Sequence, residues 1–197
     1  MLQNKKYAII YKEKVGSTND YLKEILRNNP EEKKEVFLIG GEQLKGRGQF
    51  DRSWLSIPNK GLYLSYLFYP SLELLPHINS WVSIVLLRLL SKYDIKGYIK
   101  LPNDIYVADK KIAGILTESV IIGEEVKGVV IGIGLNLFYE RGEFEKRNIK
   151  GTSMFLESRS LIIKEEVEKF IIENLLKLKS KAIDEIEEEL KKYKIID

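Results

Sequence analysis

The spacing of apolar positions changes period several times along the chain, and each change predicts an element. Tyr7-Ala8-Ile9-Ile10-Tyr11 is a short β-rich run that reads as a first strand. Gly16-Ser17-Thr18-Asn19-Asp20 then supplies helix-capping side chains, and Tyr21, Leu22, Ile25 and Leu26 form a helical stripe behind them. Asn28-Asn29-Pro30 ends that helix. Apolar residues return as a strand over 36–41, and again over 61–68, a run buried on at least one face and closed by Pro70. Residues 78–90 are densely apolar with no breaker, the pattern of a largely buried helix with Trp81 in the core. A strand at 105–107, a tip at Asp109-Lys110 and a return strand over 111–119 form a hairpin. Strict alternation would place Lys111, Ala113 and Ile115 on one face of that strand and Ile112, Gly114 and Leu116 on the other. A strand over 126–133 runs into Gly132-Ile133-Gly134-Leu135-Asn136, and two amphipathic helices, 164–180 and 182–194, follow with solvated Glu/Lys faces.

Composition narrows the function. The 197 residues fit one domain with a real core, and the net charge of +3 comes from charges spread along the whole chain, so no basic arm announces nucleic acid. Cysteine is absent, which removes disulfides, zinc-thiolate sites and thiol nucleophiles together. The single histidine, His77, stands after Pro76 at a predicted helix start, a surface or capping position, and Ser-His-Asp chemistry is not expected. Residues 1–6 have no signal-peptide character and no run approaches the about 18 apolar residues of a membrane helix, so the cytoplasm is the expected compartment.

The candidate chemistry centres on Gly46-Arg47-Gly48-Gln49-Phe50-Asp51-Arg52-Ser53-Trp54. Glycines allow backbone N–H groups to turn toward an anion, and arginine offers a planar fork for phosphate or carboxylate. No Gly-Lys-Ser/Thr follows, so the loop is not a Walker A loop, and a third glycine for a dinucleotide fingerprint is missing. Alone, the stretch reads equally well as a flexible surface turn, and Ser17-Thr18 alone as a helix cap. Gln43 has an amide that suits a urea or amide ligand. Trp54 reads as packing beneath the loop. Lys100-Leu101-Pro102-Asn103-Asp104, Lys111 and Asn136 add two cations and two oxygen ligands suited to magnesium. Clustered cations with hard oxygens imply a nucleoside triphosphate with magnesium. With no candidate nucleophile or histidine base, the chemistry is charge stabilisation at a phosphate, as in phosphoryl or nucleotidyl transfer.

Taken in order, these motifs resemble the biotin–protein ligases: Ser17-Thr18-Asn19, Gln43 with Gly46-Arg47-Gly48 and Arg52-x-Trp54, Lys100-x-Pro102-Asn103-Asp104, Lys111-Ile112-Ala113-Gly114-Ile115-Leu116-x-Glu118, Gly132-Ile133-Gly134-Leu135-Asn136, and Thr152-Ser153. The resemblance implies an α+β fold, a mixed, largely antiparallel β-sheet with helices packed on one side, related to the class II synthetases, with 1–197 forming a single catalytic domain. It implies adenylation of biotin by Mg·ATP to biotinyl-5′-AMP, then transfer to a lysine of a biotin carboxyl carrier domain. By motif match, Ser17, Thr18, Asn19, Gln43, Gly46, Arg47, Lys111, Gly114, Gly132 and Gly134 would hold biotin. Arg47, Gln49, Arg52, Trp54, Lys100, Asn103, Asp104 and Asn136 would hold ATP or the adenylate, Asp104 and Asn136 would serve magnesium, and Lys111, Arg47 and Lys100 would be catalytic. Nucleic acid and membrane are not expected partners; a homodimer stays open.

Two departures from the family pattern stand out. Gln49 occupies a position commonly held by arginine, which predicts a looser hold on the adenylate. The chain is also expected to lack the C-terminal barrel that family members usually add and the N-terminal helix-turn-helix that some carry, so transcriptional repression is not expected. Two rivals remain. A lipoate–protein ligase would use the same activation logic, but its Arg-Arg-x-x-Gly-Gly-Gly signature is missing. A non-catalytic biotin-binding module would have no need of Lys100, Lys111 and Asp104. The loop over 45–54 is expected to be mobile when empty and ordered over the adenylate.

Overall fold

The computed structural model describes residues 7–50, 52–179 and 182–196; Asp51 of the loop motif, residues 1–6, the pair 180–181 and Asp197 lie outside the described residues. The chain runs β1 (Tyr7–Val15), α1 (Thr18–Asn28), β2 (Glu35–Gln43), β3 (Gly61–Phe68), a 3-10 turn (Leu72–His77), α2 (Ile78–Lys92), β4 (Gly97–Lys100), β5 (Asp104–Val107), β6 (Lys110–Ile122), β7 (Glu125–Asn136), α3 (Arg141–Glu145), α4 (Met154–Glu157), α5 (Lys164–Leu178), α6 (Ile183–Leu190) and β8 (Ile195–Ile196). The strands form one sheet in the order β1-β2-β3-β7-β6-β5-β4-β8. The β1–β2 and β4–β8 pairs are parallel and the rest antiparallel. The expected mixed, largely antiparallel sheet is therefore present.

Period-2 alternation in β2, β3 and β7 divides two cores between the faces of the sheet. Phe37, Ile39, Leu64, Tyr66, Ile131 and Ile133 face a large core with Trp81, Val85 and Ile171, whereas Val36, Leu38, Leu67 and Val130 face a smaller one with Leu22 and Leu26. Helices α2, α5 and α6 cover the first face, as expected from helices packed on one side. Helix α1 is the exception and takes the opposite face, because its Leu22/Leu26 stripe meets the alternate set of β2 positions. Emptying one of these fully buried sites, as in Leu22→Ala, is expected to cost about 2–5 kcal/mol.

Helix α2 is buried on nearly every side, lying between the sheet and α5 and α6. Together with the preceding 3-10 turn it makes Leu72–Lys92 long and apolar enough to cross a membrane by length and composition, where the sequence reading saw no such run; 61% of that window is buried inside the protein. His77 lies 3.6 Å from the Glu187 carboxylate on α6 and lines none of the three hollows described below. The 3-10 turn, α3, α4 and β8 are too short to leave a periodic signal. Strand β7 runs straight through Gly132 and Gly134 to Asn136, because β3 and β6 pair with it on both sides.

Candidate functional site

The site is a small-residue floor on the α1 face of the sheet. Gly114 of β6 and Gly132 and Gly134 of β7 stand side by side with their missing side chains toward that face. A Cβ on Gly132 would run into the Asn19 side chain, and one on Gly134 into the Trp54 indole. A Cβ on Gly114 would come within 2.7 Å of the same indole and 3.1 Å of Lys111 Nζ. The glycines therefore admit side chains from α1 and from the 44–60 loop right down onto the backbone.

Strict alternation in β6 fails at one residue, and that failure aims Lys111. Ala113 pairs with Ile105 but Lys111 pairs with Tyr106, so Ile112 is an extra residue in the strand. Such a bulge re-aims the side chain beside it. Ile112 and Ala113 both enter the large core, and Lys111 turns onto the same face as Gly114 instead of the face it was expected to share with Ala113 and Ile115. Its ammonium lies 2.6 Å from Asp104 Oδ1 and 5.1 Å from the Trp54 ring centroid.

At one end of the floor the start of α1 offers a polar head. Ser17 caps the helix, its hydroxyl accepting from Asp20 N–H. Gln43 Oε1 accepts from Thr18 N–H at 2.8 Å and from its hydroxyl at 3.0 Å. Asn19 donates to Glu118 at 2.8 Å and to the Leu116 carbonyl at 3.1 Å. Ser65 on β3 completes the set, fully buried, 2.6 Å from Asn19 Oδ1 and 2.7 Å from Thr18 Oγ1, with one proton to donate. Sequence reasoning missed Ser65. Its signal was a hydroxyl inside an otherwise apolar buried strand, a group that burial obliges to find a partner.

Three hollows of different character meet here, and Trp54 and Lys111 line all three. The first holds the polar head, the glycine floor, Arg47, Gly48 and Gln49. The second is largely apolar, with Leu55, Phe144, Ile149 and Asn136. The third is cationic, with Arg52, Lys100, Asn103 and Asp104. The buried Trp54 indole N–H has no hydrogen-bond partner. Gly46 stays out of these hollows; its carbonyl accepts from Trp54 N–H at 2.9 Å and it acts in the loop's own closure. Asn103 is buried and lines the first and third hollows, its amide donating to the Ile115 carbonyl at 2.6 Å.

Asp104 and Asn136, expected to serve magnesium together, line different hollows. The Asn136 amide donates to the Thr152 carbonyl at 2.9 Å, which ties β7 to the 151–153 segment, and Asp104 is paired with Lys111. Among the described residues no group of three or more His, Cys, Asp or Glu is placed to hold a metal ion. This donor set does not build a protein cage, but one carboxylate beside cations fits a magnesium ion that arrives on phosphates and keeps most of its waters.

Arg47 is engaged by carboxylates. Its guanidinium forks onto Asp20 at 3.1 and 2.7 Å and also meets both Glu118 oxygens at 3.0 Å. Lys23 joins the cluster, 2.7 Å from Glu118 and 3.0 Å from Asp20. Burial pushes the Glu118 carboxyl upward, but hydrogen bonds from Lys23, Asn19 and Arg47 outweigh it and hold the group below its ordinary range. Asp20 is likewise held low against its partial burial by Lys23 and Arg47. Burial acts to lower the Arg47 value, and the two carboxylates raise it overall.

Residues 11–136 match the family described as the biotin/lipoate A/B protein ligase family. The bifunctional ligase/repressor BirA of Bacillus spizizenii is 30% identical over 139 residues, covering 69% of this chain and 42% of that protein. The biotin–[acetyl-CoA-carboxylase] ligase of Paracoccus denitrificans is 32% identical over 113 residues, covering 52% of this chain and 44% of its own length. The chain thus spans less than half the length of these relatives. Among solved structures, the biotin protein ligase from Aquifex aeolicus in complex with biotin and ATP superposes with a TM-score of 0.73 at 29% identity, covering 93% of this chain and 76% of that one.

Proposed function

The chain belongs to the biotin/lipoate A/B protein ligase family, and on that premise we propose that it activates biotin with Mg·ATP and transfers it to a lysine of a biotin carboxyl carrier domain. One observation carries the reading: Lys111 stands where a polar-headed hollow, an apolar hollow and a cationic hollow meet. Biotin has a ureido head, an apolar body and a carboxylate tail, and the first hollow offers these features in turn: Thr18 and Gln43 for the head, the glycine floor and Trp54 for the body, Lys111 for the tail. The adenine goes to the apolar hollow beside Phe144 and Ile149. The triphosphate lies along Arg52 and Lys100, and the magnesium enters with it.

In the first step a biotin carboxylate oxygen attacks the α-phosphorus and pyrophosphate leaves. Lys111 neutralises charge that builds between carboxylate and α-phosphate, a contribution larger in the transition state than in the ground state. Arg52 and Lys100 stabilise the departing pyrophosphate. In the second step the neutral amine of the acceptor lysine attacks the acyl carbon of the mixed anhydride, the bond from that carbon to the phosphate oxygen breaks to release AMP, and the nitrogen gives up one proton to solvent as the amide forms. We assign the protein to the cytoplasm, where ATP is available.

Lipoate is not favoured as the substrate. Its dithiolane ring carries no carbonyl or N–H to exchange hydrogen bonds with Thr18, Asn19 and Gln43, so the polar head that a ureido ring can use contributes nothing to its binding. The test is pyrophosphate release from Mg·ATP by the purified chain with biotin, lipoate or neither. Release only with biotin is expected; release only with lipoate, or none with biotin, overturns the assignment.

A further inference from the structure

Arg47 belongs to a motif that suggests phosphate binding, yet its guanidinium is directed onto Asp20 and Glu118. We propose that Arg47 is a positioning residue, and that Glu118, with Asp20, is the anchor through which it clasps the 44–54 loop over the biotin hollow. The inference rests on the biotin reading above for its ligand, though not for its structural part.

On either side of Asp51, the described residues of the loop pair as a small hairpin. Arg47 bridges to Ser53, Gly48 N–H donates to the Arg52 carbonyl at 2.6 Å, and Trp54 N–H to Gly46. Its base is tied down by Leu44 N–H on the Val15 carbonyl and Lys45 N–H on the Gly16 carbonyl, at 2.9 and 2.7 Å. Those bonds hold only the stem. Above the stem, Arg47 reaches across the hollow to α1 through Asp20 and to β6 through Glu118.

Glu118 is suited to anchor it. It is about four-fifths buried, and it accepts from Asn19, Lys23 and Arg47 together. Asn19 also contacts Ser65, which touches Thr18, so the anchor is continuous with the polar head of the hollow. Two carboxylates and two cations form this cluster, and the carboxylates at hydrogen-bond distance weaken the pull of Arg47 on any incoming phosphate. Arg52, Lys100 and Lys111 are then the cations that meet the nucleotide. In this arrangement a side chain from the anion-loop motif shapes biotin recognition and leaves ATP recognition to others.

The experiment compares Glu118→Gln, Arg47→Ala and the double variant by two readouts. The first is hydrogen exchange of the 46–54 amides in the ligand-free chain. The second is the KM for biotin and for ATP in pyrophosphate release. Losing a charge-assisted clasp is expected to speed loop exchange and to raise the biotin KM about tenfold in each single variant, with the ATP KM within about threefold of wild type. The double variant should be no worse than Arg47→Ala, because both residues act through one contact. Wild-type loop exchange in Glu118→Gln overturns the clasp, and so does a rise in ATP KM confined to Arg47→Ala, which would make Arg47 a phosphate ligand. If the wild-type chain releases no pyrophosphate with biotin, the functional reading fails and loop exchange alone decides the clasp. Exchange of α2 amides in each variant reports whether the core stays folded.

Discussion

Replacing Lys111 with alanine tests the centre of the mechanism. The Lys111 side chain is 31% exposed and that of Asp104, with which it pairs, is 20% exposed, so truncating Lys111 opens the Asp104 carboxylate to water and the fold should survive. The effect falls on chemistry. A unit charge about 4 Å from charge developing on the α-phosphate, at an effective dielectric of about 20, contributes about 4 kcal/mol, or roughly a thousandfold in rate. Removing a single preorganised donor from comparable sites costs about a hundred- to a thousandfold in kcat, the same range. Truncation also leaves Asp104 without its cation, an uncompensated negative charge beside the phosphates that deepens the loss. The assay is biotin-dependent pyrophosphate release at saturating Mg·ATP, with the thermal midpoint as the folding control. Turnover of Lys111→Ala within about threefold of wild type would refute the role and leave Lys111 a hairpin lysine.

Three further outcomes are expected. Gly134→Ala places a Cβ inside the Trp54 ring, and since Trp54 sits on a loop the ring should lift at a stability cost of only about 1–3 kcal/mol; biotin affinity by calorimetry should fall at least about tenfold, and unchanged affinity would mean that the floor is not the biotin site. Ser65→Ala removes the hydroxyl shared by Thr18 and Asn19, and urea unfolding should show a loss of about 1–3 kcal/mol with an unchanged slope. Asp20 and Glu118 are both held below their ordinary values, so the stability they confer is complete above the unfolded carboxylate pKa and is lost as pH falls through the lowered folded-state values. The thermal midpoint should accordingly drop on acidification more steeply in wild type than in Glu118→Gln, and parallel curves would count against the cluster.

Local features of the chain were legible in sequence because the forces behind them act over a few residues. Ser17 caps α1 through a bond to Asp20 three residues away, and the apolar runs at 36–41 and 61–68 mark β2 and β3 as buried extended segments. The order of the motifs was likewise enough to point to the family. Other features required the folded chain. The bulge at Ile112 depends on how β5 and β6 pair, and it reversed the face of Lys111. Trp54 reaches Gly114 and Gly134 only because β6 and β7 lie side by side, and Ser65 becomes a site residue only when α1 lies over β3.

Arg47 shows the division most plainly. Sequence made it a cation in a glycine loop, a residue type with affinity for any anion. Its partners, Asp20 and Glu118, are 27 and 71 residues away along the chain. Charge attraction depends on distance in space and the local dielectric, and separation along a sequence constrains neither. Sequence therefore determined which charges the protein carries, and the tertiary structure decided which carboxylates Arg47 meets before any phosphate arrives.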